Sequence, residues 1–236
     1  MSMEVRVTLR PVFWFRNAVR LFAAVLTLAA VWLLVTELIR PSLPYFPQEK
    51  AAEQASAGSS RAEMAASIGW LRGDLWTDAA IASSSVQIYG PADENHRQKT
   101  DVEDRARAIA RRAARWSPHD SRAWLLLTAL DSKLGSPSEE LVSRLKMSYF
   151  TGPNETALTA LRVRLATRSN AFTDPELNAL VSNEIRSVLL RHPADREALV
   201  SAYIDASVEG RQFLEETARN VDKDFVDQLR ASGTRR

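Results

Sequence analysis

Between residues 21 and 39 the chain reads LFAAVLTLAAVWLLVTELI, nineteen residues in which only Glu37 is charged. At about 1.5 Å of rise per residue, such a run covers a hydrocarbon core of roughly 30 Å and predicts a transmembrane helix. Leu21, Phe22, Leu26, Leu28, Trp32, Leu33, Leu34 and Leu38 form the anchor, because the run has no polar face to turn toward solvent. From Ser60 onward the pattern changes. Apolar residues fall at intervals of three and four with no sustained alternation, which predicts an all-α body.

A first hairpin is expected to pair residues 61 to 71 with 74 to 88, with Gly73 in the turn. The polar stretch YGPADENHRQKT, 89 to 100, reads as a loop. A helix then starts near Asp101, with Asp101, Glu103 and Asp104 at its positive end, Arg111, Arg112 and Arg115 at the other, and a buried stripe of Ala106, Ile109, Ala110, Ala113 and Trp116. Pro118-His-Asp120, Pro153-Asn-Glu155 and Pro193-Ala-Asp195 each close one helical pattern and open another. They lie 35 and 40 residues apart. Apolar helices follow each: Trp124, Leu127 and Leu130; Leu158, Leu161 and Leu165; Leu199, Ala202 and Tyr203. Ser136-Pro137-Ser138-Glu139 and Thr173-Asp174-Pro175-Glu176 have the spacing of capping boxes for the intervening helices. Helical pairs repeating at this period predict an α-solenoid. Phe213, Leu214, Ala218, Val221, Phe225, Val226 and Leu229 are placed to close its end.

The segment ARRAARWSPHDSRAWLLLTAL, with its alanine-spaced helix, Pro118, Asp120 and Trp124, resembles the junction between two tetratricopeptide repeats. The resemblance covers roughly residues 101 to 208. Thr128 stands where a small residue is expected, and the later units lack the tryptophan, so the number of repeats stays open. The resemblance implies stacked hairpins with a concave protein-binding surface and no catalysis.

Four arginines, Arg6, Arg10, Arg16 and Arg20, precede the apolar run, whereas Arg40 is the one basic residue close behind it. The positive-inside rule then puts the N-terminus in the cytoplasm and the rest of the chain outside it, in a bacterium the periplasm. The richness in alanine and arginine is compatible with a bacterial gene of high GC content. A cleaved signal peptide is the competing reading, but the run is longer than an ordinary h-region and TELIRPSLPYF offers no small-x-small site. Pro41, Pro44 and Pro47 have polyproline spacing, and QEKAAEQASAGSSR follows, so a stalk lifting the body by roughly tens of ångströms is expected. The organisation is thus a cytoplasmic tail (1–20), a span (21–39), a linker (40–60), a helical-repeat body (61–230) and a disordered tail (231–236).

Charge refines this picture. The net charge of +2 is concentrated at the N-terminus; residues beyond 40 carry 26 basic and 27 acidic side chains. A near-neutral body lacks the footprint of nucleic-acid binding. There are no cysteines, so disulfides and thiolate chemistry are excluded. His96, His119 and His192 lack ligand spacing, the eight glycines form no phosphate loop, and no serine occupies a nucleophile elbow. No metal, cofactor or catalytic residue is expected. Arg72-Gly73-Asp74 reads as an ordinary helix end and restart, and Trp70 and Trp76 beside it as core of the first hairpin. The partner-binding candidates are Arg107, Arg111 and Arg115, one ridge at a spacing of four. Pairing of Asp101 with Arg105 and of Glu103 with Arg107 would make the same ridge a plain solvated face.

The expected function is a non-enzymatic, membrane-anchored scaffold or accessory subunit of a bacterial envelope complex, with other proteins as partners. The alternative is an accessory factor in envelope polysaccharide synthesis or export. An aromatic and polar groove would favour sugar, and an apolar or charge-matched one a peptide.

Overall fold

A computed structural model of the protein describes residues 10–47, 52–89, 96–133 and 138–233. Among the described residues every regular element is helical. The first, α1 (Arg10–Ile39), is about 45 Å long at 1.5 Å per residue. Its segment Trp14–Ile39 is long and apolar enough to cross a membrane, by length and composition. Leu21, Phe22, Leu26, Leu28, Leu33, Leu34 and Leu38 are all exposed, so this is no core helix of the body. The helix begins well before residue 21, so residues 10–20 of the expected tail continue the same helix.

After α1 come α2 (Ala52–Ala57), α3 (Ser59–Ile68), α4 (Gly73–Tyr89), α5 (His96–Trp116), α6 (Ser121–Lys133), α7 (Ser138–Thr151), α8 (Thr159–Arg168), α9 (Pro175–Arg191), α10 (Arg196–Asp205), α11 (Val208–Arg219) and α12 (Lys223–Gly233). From α4 on, each helix packs on the next. In addition α4, α6, α8, α10 and α12 touch in succession, as do α7, α9 and α11. That is a two-layer stack of antiparallel hairpins with one continuous core. Near α1 the core is mostly alanine, including Ala62, Ala65, Ala66, Ala79, Ala80 and Ala110, and small side chains let α3, α4 and α5 approach closely. Further along, Leu125, Leu126, Leu145, Leu158, Leu161, Leu177, Ile185 and Leu199 fill wider gaps, each contributing about 1.5–3 kcal/mol on burial.

The predicted boundaries hold at the prolines. Pro118, Pro153 and Pro193 each lie between two helices, and the apolar residues that follow each proline lie in the core or pack against it. At α9 the cap is shifted by one residue from the sequence expectation. Asp174, not Thr173, accepts the Leu177 N–H at 2.9 Å, with Pro175 as the first helical residue, because Thr173 completes a 3-10 turn. Ser136 and Pro137 lie outside the described residues. The helix expected at Asp101 starts at His96, so Asp101, Glu103 and Asp104 sit in its second and third turns and the first turn holds no acid. Trp70 and Trp116, expected in the core, are largely exposed, whereas Trp76 is buried. Residues 231–233 belong to α12, and only 234–236 lie beyond the described residues.

The largest departure concerns the stalk. Arg40 donates from Nε to Asp78 at 2.7 Å and lies 3.4 Å from Asp74, while Phe46 is 3% exposed and packs into the core. Tyr45 covers Arg122 with its ring (4.7 Å) and donates its hydroxyl to Glu155 at 2.7 Å. Burial and the neighbouring Glu155 carboxylate push that phenol up to about 12. Residues 40–47 are therefore a strap laid across α4, α6 and the α7–α8 turn. The prolines fix an extended backbone, and Phe46 and the charges fasten it to the body.

Candidate functional site

The arginine ridge does not survive as a uniform surface. Arg107 turns inward, its Nε 2.9 Å from the buried Asp131 of α6, and also pairs with Asp104 at 3.1 Å. Arg144 of α7 holds the other oxygen of Asp131 and also bonds Glu140. Burial first, then the nearby Arg111 and Arg107, hold the Arg144 guanidinium below its ordinary pKa. Arg111 and Arg115 remain exposed. Arg105 reaches back to Glu63 of α3, not to Asp101. Arg107 and Arg144 thus add a shared buried carboxylate on α6 to the exposed partner each has one turn away, and removal from water strengthens the buried pairing.

A better-formed site lies between two successive proline breaks. Pro153 breaks the chain after α7 and restarts it through a 3-10 turn into α8; Pro193 does the same after α9. The ends of α7 and α9 and the start of α8 enclose a cleft of about 520 Å³. Tyr149, Thr159 and Glu184 form its floor. Leu180 and Val188 supply apolar wall, Asn154, Asn183 and Ser187 supply amides and a hydroxyl, and Arg191 and His192 stand exposed at the rim.

The floor is a buried ionic network. Arg162 of α8 is 0% exposed and donates from Nε to Ser148 Oγ at 3.0 Å and from Nη2 to the Gly152 carbonyl at 2.9 Å and the Ser148 carbonyl. Its Nη1 lies 3.7 Å from Glu184 and makes no hydrogen bond. Glu184 accepts hydroxyl hydrogen bonds from Thr159 at 2.9 Å and from Tyr149. Tyr149 also places its ring 4.7 Å from the Arg162 guanidinium. Burial raises the Glu184 pKa even against Arg162 and the two hydroxyls, and burial beside Glu184 pushes the Tyr149 phenol well up. With both hydroxyls already committed, the carboxylate serves as an acceptor at the floor and as the partner that keeps Arg162 compensated.

Sequence reasoning passed over Arg162 and Glu184, although each left a signal. Arg162 falls four residues after Leu158 and three before Leu165, and Glu184 three after Val181 and four before Val188. Opposite charges thus interrupt the apolar stripes of successive helices. Among the predicted histidines, His192 lines the cleft, and His119 is exposed in the α5–α6 turn. No family model matches the chain, and no curated protein or solved structure matches it either.

Proposed function

We propose that this chain is a non-enzymatic single-pass protein of a bacterial inner membrane. In this reading the N-terminus is cytoplasmic, and the periplasmic helical body holds a partner protein within an envelope complex. The stack of hairpins is read as a tetratricopeptide-like solenoid on the strength of the Pro118 junction and the successive packing of alternate helices. The cleft between the Pro153 and Pro193 boundaries carries the proposal: it has apolar wall, amides, a buried acceptor, and both Arg191 and Glu155 along its lining, the mixture that grips an extended peptide. The saccharide alternative is less well supported. The aromatic ring at the cleft, Tyr149, is 3% exposed and engaged with Arg162, which leaves no face for a sugar to stack on.

Two experiments test this reading. A reporter active only in the periplasm, fused after Arg236, should be active; activity only from a cytoplasmic reporter would reverse the orientation. A photo-crosslinking residue at Asn183 in intact membranes should join a specific protein identified by mass spectrometry. Arg191→Glu should abolish that adduct, and an unchanged adduct pattern would remove the cleft from partner binding.

A further inference from the structure

The corner between α3 and α4 meets α1 at a defined height. Trp32 donates its indole N–H to the Ile68 carbonyl at 2.9 Å. Four residues later Thr36 is fully buried, and a Cβ on Gly69 would come within 3.1 Å of its methyl group. Arg72 then reaches Thr36 Oγ1 at 3.3 Å and Glu37 at 3.1 Å. The chain from 68 to 72 therefore climbs alongside α1 from the level of Trp32 to that of Glu37.

That level is set against the bilayer by α1 itself. A core of roughly 30 Å needs about 20 helical residues, and the apolar segment Trp14–Ile39 has 26. Wherever the core lies within that segment, for a helix near the membrane normal its outer face falls at about residue 33 or beyond. Trp32, and Ile68 with it, is then at or inside the edge of the hydrocarbon.

The corner has the chemistry this position demands. Three of its backbone carbonyls are satisfied from within: Ile68 by Trp32, Gly69 by the Arg72 N–H at 2.7 Å, and Trp70 by the Trp76 indole at 3.1 Å. Apolar side chains at the same corner are not covered. Trp70 and Leu71 are each 54% exposed, and Trp116, whose ring meets Trp70 edge-on at 5.9 Å, is 41% exposed. Exposed Arg115 adjoins Trp116 in sequence. Satisfied backbone, indoles and a neighbouring guanidinium suit the headgroup boundary of a membrane.

We propose that the α3–α4 corner, with Trp116, is seated in the outer headgroup boundary of the bilayer that α1 spans. The helical body thus rests against the membrane and does not stand off on a stalk. The proposal rests on the reading of α1 as a span and adds a second lipid contact to it. Because the chain has no cysteine, single cysteines can report on it directly in the full-length protein. Leu71→Cys, Leu28→Cys and Val208→Cys are each labelled with a fluorophore and reconstituted into vesicles of phosphatidylethanolamine and phosphatidylglycerol carrying nitroxide lipids. Val208 is 68% exposed on α11, which packs on α8, α9, α10 and α12, far along the stack from the corner. The Leu71 label should lose most of its emission to a nitroxide near the headgroup and less to one at mid-chain. The Leu28 label should respond most to the mid-chain nitroxide, and the Val208 label to neither. Quenching at Leu28 with none at Leu71 overturns the seated corner and leaves the anchor intact. Absence of quenching at Leu28 overturns the span, and the seated corner with it. Trp70→Cys, labelled in the same way, should repeat the Leu71 result; if it responds like Val208, the corner is not in lipid.

Discussion

At the scale of single residues, Arg162 and Glu184 dominate. An isolated buried charge is costly, so each requires the other more than the fold requires the pair. Arg162→Ala should lower stability by about 3–5 kcal/mol, because it leaves the Glu184 carboxylate uncompensated. The double variant Arg162→Leu/Glu184→Leu should recover much of that loss in denaturant unfolding followed by circular dichroism. A double variant as unstable as the single one would mean that the hydrogen bonds to Ser148 and Gly152, not the charge, are what matter. The raised pKa of Glu184 gives a second expectation. As the pH falls, the folded protein binds this proton before the unfolded chain does. Stability linked to this carboxyl therefore increases between its raised value and the ordinary 4.5. Against Glu184→Gln, which cannot titrate, the wild-type melting temperature should gain as the pH is lowered from neutral toward that range. A wild-type protein that loses ground over the same interval would contradict burial as the leading cause.

At the scale of elements, α8 and α11 cross closely at Gly210. Ser207 caps α11 by accepting the Gly210 N–H at 2.9 Å, and the same hydroxyl and the Ser207 N–H both donate to the Thr167 carbonyl. A Cβ at Gly210 would stand 2.1 Å from that carbonyl oxygen, a backbone atom that cannot rotate away. Gly210→Ala should therefore force α11 off α8 and cost about 1–3 kcal/mol. It should also speed amide exchange in α11 and α12 while leaving α4 to α6 unaffected. A neutral effect on both measurements would show that the crossing relaxes freely. The periodicity of α11 was legible in the sequence, since Leu214 and Ala218 mark its buried face. Its contact with α8 was not, because glycine carries no hydrophobic signal.

At the scale of the whole molecule, the strap joins α1, stack and cleft. Arg40 ties the end of α1 to α4, Phe46 enters the core, and Tyr45 reaches Glu155 at the cleft wall. Burial raises the pKa of Asp78 despite Arg40, so this carboxylate too depends on its partner. Phe46→Ala should cost about 3–5 kcal/mol if the strap acts as part of the core. Limited proteolysis of the detergent-solubilised protein should then cut first within residues 40–47. A strap that stays protected in the variant would mean that the charges alone hold it.

The amino-acid pattern by itself determined the helical class, the apolar helix, the breaks at Pro118, Pro153 and Pro193, and most of the buried stripes between Ala106 and Leu229, Trp116 excepted. All of these follow from periodicity and backbone restriction acting over a turn or two of chain. Only the tertiary structure decided that the proline segment is a strap, that Arg107 turns toward Asp131, and that Arg162 and Glu184 meet beneath a cleft. Such choices rest on partners far apart in sequence, 38 residues for Arg40 and Asp78 and 110 for Tyr45 and Glu155. Folding adds partners that no window of a turn or two contains, and removal from water strengthens an ionic contact buried beside a distant residue beyond what the same contact is worth on an exposed helix face.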